Sequence, residues 1–212
     1  MEEKIIEIQR IVVEGKFKEV EGKVQQAIDD GCDLNTLINQ GLIDAMDVVG
    51  KRFSTGEIFV PEMLVSATTM KKGLELIKPL LAGDGSYSKG TILLGTVKGD
   101  LHDIGKNLVA MMFEGGGYKV IDMGVDIRVE DVLERVKSEN ADILGLSALL
   151  TTTLPGMGQV IDALEEAGMR DQVKVIVGGA PVNQEFADNI GADGYAADAA
   201  EAVMLADQML AG

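Results

Sequence analysis

Residues 91–114 read TILLGTVKGDLHDIGKNLVAMMFE. A short apolar run, Thr91–Val97, gives way to a polar loop rich in unusual residues, and then to a helical stretch, Ile104–Glu114. An apolar run this short, bounded by glycine and polar residues, reads as a strand buried on both faces. The same unit recurs towards the C-terminus. Strands are expected at Lys119–Asp122, Ile143–Ser147 and Val173–Val177, with a shorter fifth around Tyr195. The helices between and after them are expected at Val129–Glu139, Leu154–Ala167, Asn183–Ile190 and Ala199–Leu210. Strand–helix alternation predicts a parallel sheet with helices on both faces.

Five such strands suit a doubly wound, flavodoxin-like (Rossmann-like) α/β order. In that architecture ligands sit beyond the carboxyl ends of the strands. The rule selects the loops that start near Lys98, Ser147 and Gly178. The first holds Asp100, His102, Asp103 and Gly105, and its histidine is the only one in the chain. The second, Ser147–Thr153, is crowded with hydroxyls, and Thr152 or Thr153 also reads as a helix cap ahead of Leu154–Pro155. The third carries Gly178–Gly179, which reads either as a tight turn or as a slot whose missing side chains leave room for an inserted group.

Working back towards the N-terminus, the pattern changes to helical periodicity. Phe17, Val20, Val24 and Ile28 form one stripe; Ile38, Leu42, Met46, Val49 and Phe53 form a second. A third is Met63, Ala67, Met70, Leu74, Ile77 and Leu81, and Glu2–Glu14 supplies Ile5, Ile8 and Val12. Gly15, Gly31 with Asp33 as a cap, and Ser54–Gly56 separate the helices, and Pro61 fits a first helical turn. These features predict an N-terminal four-helix bundle. AGDGSYSKG (82–90) is small and polar and reads as a linker. The expected division is a helical domain at 1–83, a linker at 84–90 and the α/β domain at 91–212.

Composition narrows the chemistry. Of 212 residues, 46% are hydrophobic and 25% charged, which fits a folded globular chain rather than a disordered one. No apolar run approaches the roughly 20 residues that span a bilayer. The acidic, amphipathic start MEEKIIEIQR resembles no export signal, so a cytoplasmic location without a membrane partner is expected. One cysteine, Cys32, excludes an internal disulfide, a thiolate-held iron–sulfur cluster and a Cys-rich zinc site. One histidine excludes any chemistry that needs two imidazoles. A net charge of −16 opposes nucleic-acid binding.

Taken together, the three loops have a spacing: Asp-x-His-x-x-Gly, 41 residues, Ser-x-Leu, 28 residues, Gly-Gly. This resembles the cobalamin-binding signature of the corrinoid-dependent methyltransferases, including the cobalamin-binding region of methionine synthase. The resemblance extends to Phe53-x-x-Gly56-x-x-Phe59-Val60-Pro61-Glu62-Met63, which is similar to the family's helical cap over the corrin ring. A chain with these two modules looks like the free-standing corrinoid proteins of methylamine, methanol, betaine and methoxyaromatic metabolism.

The resemblance implies cobalamin as cofactor and His102 as the ligand to cobalt below the ring. Asp100 would hold the other imidazole nitrogen. Thr153 would be the third member, at a position where the family carries serine. Thr96, Gly99, Leu101, Asp103 and Ile104 complete the first contact loop. Gly105, Ser147, Leu149, Thr151, Gly178 and Gly179 match the slot for the nucleotide tail, with Ala199 beyond the last strand. Lys98 and Lys106 are placed to meet its phosphate. Phe53, Val60 and Met63 match the apolar upper face, although Phe53 and Met63 read equally well as bundle core.

The implied function is a methyl carrier, a subunit rather than a complete enzyme. It would serve a substrate-specific methyltransferase, an acceptor-side methyltransferase acting on a thiol or folate-type acceptor, and a reductive activase. Two rival readings share the cofactor. A cobalamin-dependent regulator would add a DNA-binding domain, and its light-sensing members a Trp and second His that this chain lacks. A mutase subunit usually lacks the helical cap. A phosphoacceptor domain would need a lysine after a late strand, and none follows Val177.

Overall fold

The computed structural model describes residues 2–80 and 88–211. The chain forms two compact units, Met1–Ser88 with Glu114–Gly117, and Lys89–Phe113 with Tyr118–Gly212. Most of the expected linker, and Leu81 of the third stripe, lie outside the described residues.

The first unit is helical. Helix α1 (Glu2–Val13) buries Ile8, Ile11 and Val12, and α2 (Val20–Asp29) buries Val20, Val24 and Ala27. Phe17 departs from its stripe: it precedes α2 and is 39% exposed, with the Lys72 ammonium 5.6 Å from its ring. Asp33 caps the next segment by accepting the Thr36 N–H at 2.8 Å. That segment comprises α3 (Leu34–Thr36), a π-helical stretch Leu37–Ile43, and α4 (Asp44–Ser54). Its apolar stripe runs through the π-helical stretch into α4, because the wider π turn still keeps Leu37, Ile38, Leu42 and Ile43 inward, whereas α3 buries no residue. Helix α5 (Val60–Ile77) starts with Pro61 in its first turn and buries Met63, Ala67, Met70, Leu74 and Ile77. A short 3₁₀ turn, Lys78–Leu80, follows.

The second unit alternates strand and helix as the apolar runs require. It comprises β1 (Thr91–Thr96), α6 (Ile104–Gly115), β2 (Lys119–Asp122), α7 (Val129–Glu139), β3 (Ile143–Ser147) and α8 (Pro155–Glu166). A 3₁₀ turn, Arg170–Gln172, precedes β4 (Lys174–Gly178), α9 (Gln184–Asn189), β5 (Gly194–Ala196) and α10 (Ala199–Leu210). All pairings are parallel and the order is β2-β1-β3-β4-β5. Side chains alternate across the sheet. Leu93, Leu144, Leu146, Val175 and Val177 share one core with Val132 and Val136 of α7 and Met157, Val160, Ile161 and Leu164 of α8. Ile92, Leu94, Ile143 and Ile176, one residue out of step, are buried as well. Each such aliphatic side chain contributes about 1.5–3 kcal/mol.

The register aligns the functional ends of the strands. Thr96 pairs with Ser147, Ser147 with Gly178, and Gly178 with Ala196, a row along the carboxyl edge of the sheet. The chain reverses its direction of winding between β1 and β3, so the loops after them flank the switch point where a ligand crevice forms.

Candidate cofactor-binding site

Strand β1 ends at Thr96, and the chain turns at once. The Asp100 N–H returns to the Val97 carbonyl at 3.1 Å, closing a tight turn with Gly99 at φ +83°. Only glycine adopts that conformation without strain. Thr96, fully buried, donates its hydroxyl to the His102 carbonyl at 2.9 Å, so this side chain fastens the loop back onto the strand.

The turn drives Asp100 inward. Its carboxylate is fully buried and accepts from both flanking loops. Oδ1 takes the His102 N–H at 3.1 Å and the His102 ring Nδ1 at 2.6 Å. Oδ2 takes the Leu149 N–H at 2.7 Å, the Leu150 N–H at 3.2 Å and the Thr153 hydroxyl at 2.9 Å. Burial alone would favour the neutral acid. The donors from Leu149, His102 and Thr153 outweigh it and hold the Asp100 carboxyl well below the usual carboxylate range. An ionised Asp100 accepts a hydrogen bond from Nδ1–H, which keeps the proton on Nδ1 and leaves the Nε2 lone pair as the free ligand of the ring. The His102 side chain is 51% exposed.

Thr153 does not cap α8, which begins at Pro155 without a side-chain cap. Its hydroxyl lies 2.9 Å from both Asp100 Oδ2 and the Leu150 carbonyl, and its single proton serves the charged acceptor better. The methyl that distinguishes threonine from serine sits 3.6 Å from where a Gly99 Cβ would lie. The glycine turn therefore leaves room for the larger residue.

Around the ring the surface is apolar and open. Leu101 is 72% exposed, Ile104 84% and Leu149 44%. A Cβ added at Gly105, the second residue of α6, would meet nothing within 4 Å. A half-exposed imidazole with its metal-facing nitrogen free, ringed by exposed aliphatics, fits a broad, flat, largely apolar ligand carrying a metal at its centre. Asp103 is exposed and bonded to Asn107 at 3.1 Å. Ser147 is half-buried and Thr151 exposed.

The two glycines after β4 serve backbone packing. A Cβ at Gly179, φ +128°, would collide with the Ala148 carbonyl oxygen, and one at Gly178 would lie 3.0 Å from the Ala196 carbonyl. Ala199, buried, opens α10 next to the Asp198 cap. Lys98 is exposed. Lys106 differs from expectation: its ammonium is buried and bound to Asp122 at 2.5 and 2.6 Å and to Asn107 at 2.8 Å, so it is spent on the protein. In the helical unit Met63 is fully buried, Phe53 half-buried and Val60 38% exposed. Glu62 accepts the Phe59 N–H at 3.0 Å and is thus a capping residue of α5.

Sequence reasoning passed over Asp122 and Asp126. Asp122 holds Lys106 and accepts the Gly124 N–H at 2.8 Å. Asp126 accepts the Gly99 N–H at 2.7 Å. Their signal is weak in sequence, since Asp122 ends a short strand and Asp126 lies in the ordinary polar loop that follows. Among the described residues no cluster of His, Cys, Asp and Glu could hold a metal by itself, and no helix is long and apolar enough to cross a membrane.

Comparison with known proteins identifies the family. Two models described as a B12 binding domain match the chain, one over residues 90–204 and the other over 6–78. A corrinoid protein of Desulfitobacterium hafniense is 44% identical over 96% of this chain and 96% of its own length. Dimethylamine corrinoid protein 1 of Methanosarcina acetivorans is 43% identical over 99% of each. The methanol:cobalamin methyltransferase complex of Methanosarcina barkeri contains a chain with TM-score 0.87 and 36% identity, covering 99% of this chain and 80% of that one. Cobalamin is accordingly the cofactor, and the chain belongs to the B12-binding corrinoid proteins of the methyltransferase systems.

Proposed function

We propose that the protein is a methyl carrier whose bound cobalamin is ligated from below by Nε2 of His102. The observation that carries this reading is the 2.6 Å contact of His102 Nδ1 with a buried, ionised Asp100, which leaves the opposite ring nitrogen free on an exposed apolar surface. When bound, cobalamin supplies a cobalt centre that accepts and gives up a methyl group.

The chain's own residues do the rest. Asp100 fixes the tautomer of His102 and raises its basicity, and Thr153 and the N–H groups of Leu149 and Leu150 hold Asp100 in place. Leu101, Ile104 and Leu149 keep water from the lower face. Gly105, Ser147 and Thr151 are the residues we assign to the side of the nucleotide slot, with Thr96, Gly99 and Asp103 shaping the loop and Ala199 at its far end, whereas the space beside Gly178 and Gly179 is taken up by neighbouring backbone. Of the three residues expected at the upper face, Val60 is exposed and Phe53 half-buried, whereas Met63 is fully buried in the helical core.

We assign it three protein partners: a substrate-specific methyltransferase, an acceptor-side methyltransferase and a reductive activase. A complex between a similar chain and a methanol-specific methyltransferase supports the first. The reading places the protein in the cytoplasm, at the division of domains given by 1–83, 84–90 and 91–212. The test is to load the protein with hydroxocobalamin, reduce it, supply an isotope-labelled methyl donor and re-isolate it. The expected result is label retained at about one per cofactor and released to a thiol or folate-type acceptor once the acceptor-side enzyme is added. Retained cofactor that never takes up label would overturn the carrier reading and favour a regulator.

A further inference from the structure

The turn that aims Asp100 is itself held from outside. Gly99 occupies its third position, and the Gly99 N–H donates to the Asp126 carboxylate at 2.7 Å. The Asp126 N–H in turn donates to the Asp100 carbonyl at 3.0 Å. Asp126 therefore grips the Lys98–Gly99 and Asp100–Leu101 peptide units, while the Gly99–Asp100 unit between them is held by the turn's own bond to Val97. Asp126 lies in the loop between β2 and α7, which is tied along the end of β1 by Ile127 N–H to the Thr96 carbonyl at 3.1 Å and Thr96 N–H to the Gly124 carbonyl at 3.0 Å. Val97 and Ile127 add a parallel bridge.

The backbone carries a second mark. Asp126 has φ +52°, one of only two non-glycine residues with positive φ among the described residues. A β-carbon at such an angle persists where the surroundings hold it. Asparagine and glycine would fit this angle more comfortably, yet the position carries a carboxylate. That carboxylate accepts the Gly99 N–H, and it is not the cap of its own helix, since α7 begins at Val129 with Arg128 at its N-cap.

We infer that Asp126 is a positioning residue for cofactor binding, acting through Gly99 and Asp100 to fix the direction of the His102 ring. It touches neither His102 nor the cofactor. The inference rests on the reading of His102 as the lower ligand. Asp126→Asn keeps an acceptor oxygen and tolerates the positive φ. Asp126→Gly relaxes the backbone and removes the acceptor alone.

The experiment loads wild type, Asp126→Asn, Asp126→Gly and His102→Ala with hydroxocobalamin, and records the visible spectrum and the cofactor dissociation constant of each. Circular dichroism checks that each variant is folded; Asp126→Gly removes no buried group and leaves the backbone angle accessible. The expected result is a wild-type spectrum and affinity for Asp126→Asn. Asp126→Gly should shift towards the His102→Ala spectrum and bind ~10-fold more weakly. A wild-type spectrum and affinity for Asp126→Gly would overturn the proposal, as would equal impairment of Asn and Gly. Identical spectra for wild type and His102→Ala would overturn the ligand reading, and this role with it; a His102-dependent spectrum that Asp126→Gly leaves unmoved overturns only this role.

Discussion

The two units treat their buried polar groups differently. In the helical unit the buried polar residues are Ser66 and Thr69, small hydroxyls that donate to backbone carbonyls, Thr69 to Val65 at 2.7 Å and Ser66 to Val13 at 3.3 Å. In the sheet unit they are Thr96, Asp100, Lys106 and Thr153, which include a carboxylate and an ammonium. The same region inverts the rule for apolar residues and exposes Leu101, Ile104, Leu149 and Leu150. Charges inside and aliphatics outside both cost stability, and a site that must present a metal ligand to an apolar ring has reason to carry both. The helical unit also exposes large apolar side chains, Ile6 at 58% and Phe59 at 67%, so the buried charges are what set the two units apart.

The largest expected break in that contrast comes from the buried ion pair. Asp122→Ala leaves the Lys106 ammonium buried with only Asn107 as partner, and should cost about 3–5 kcal/mol in urea unfolding. Lys106→Met removes the charge that is buried and leaves Asp122, 44% exposed, to water; the expected cost is about 1–2 kcal/mol. Equal losses for the two variants would mean that the pair is not what sets the cost.

Thr69→Ala in the helical unit loses one neutral hydrogen bond and should cost about 1 kcal/mol in the same assay. Its cobalamin affinity should stay at the wild-type value.

A pH experiment sharpens the comparison in a part of the sheet unit away from the loops. Burial of Asp193 opposes its charge, but the Val175 N–H and the Arg170 and Lys174 cations lower its pKa from the ordinary 3.8. The folded state therefore binds this proton less readily than the unfolded state. Its contribution is complete above about pH 4 and is lost as the pH falls further. Acid unfolding curves of Asp193→Asn should be flatter than wild type in that range, and parallel curves would refute the assignment.

The smallest effect on stability is expected at Ile104. At 84% exposure Ile104→Ala should change unfolding by no more than about 0.5 kcal/mol. The same variant should retain less cobalamin after gel filtration, because the residue is placed for the ring and not for the core.

Much of this was legible in the sequence because strand–helix alternation is periodic and the carboxyl-end rule then selects loops. The five strands and the cap at Asp33 follow from such local signals, whereas the pairing of Asp100 with His102 came from the resemblance of the loop motif to a known family. The rest depended on contacts between distant segments. Nothing near Leu37–Ile43 announces a π turn, since the stripe keeps its spacing. Lys106 looks like any surface lysine until β2 brings Asp122 to it. Gly179 reads as an opening until the loop after β3 is seen to fill it. Phe53 and Met63 are ambiguous in sequence because an apolar stripe is the same pattern whether it faces a core or a cofactor; the structure buries Met63 fully and Phe53 by half.

The most direct test of the central claim uses the single histidine of the chain. The protein is produced with ordinary or heavy-nitrogen histidine and loaded with cobalamin. The cofactor is then reduced to the Co(II) state, and its electron paramagnetic resonance is recorded. If His102 ligates from below, the nitrogen splitting changes from triplets to doublets on labelling and is lost in His102→Ala. A splitting pattern that is the same with either histidine would contradict the account, because the ligand below the metal would then not come from the protein.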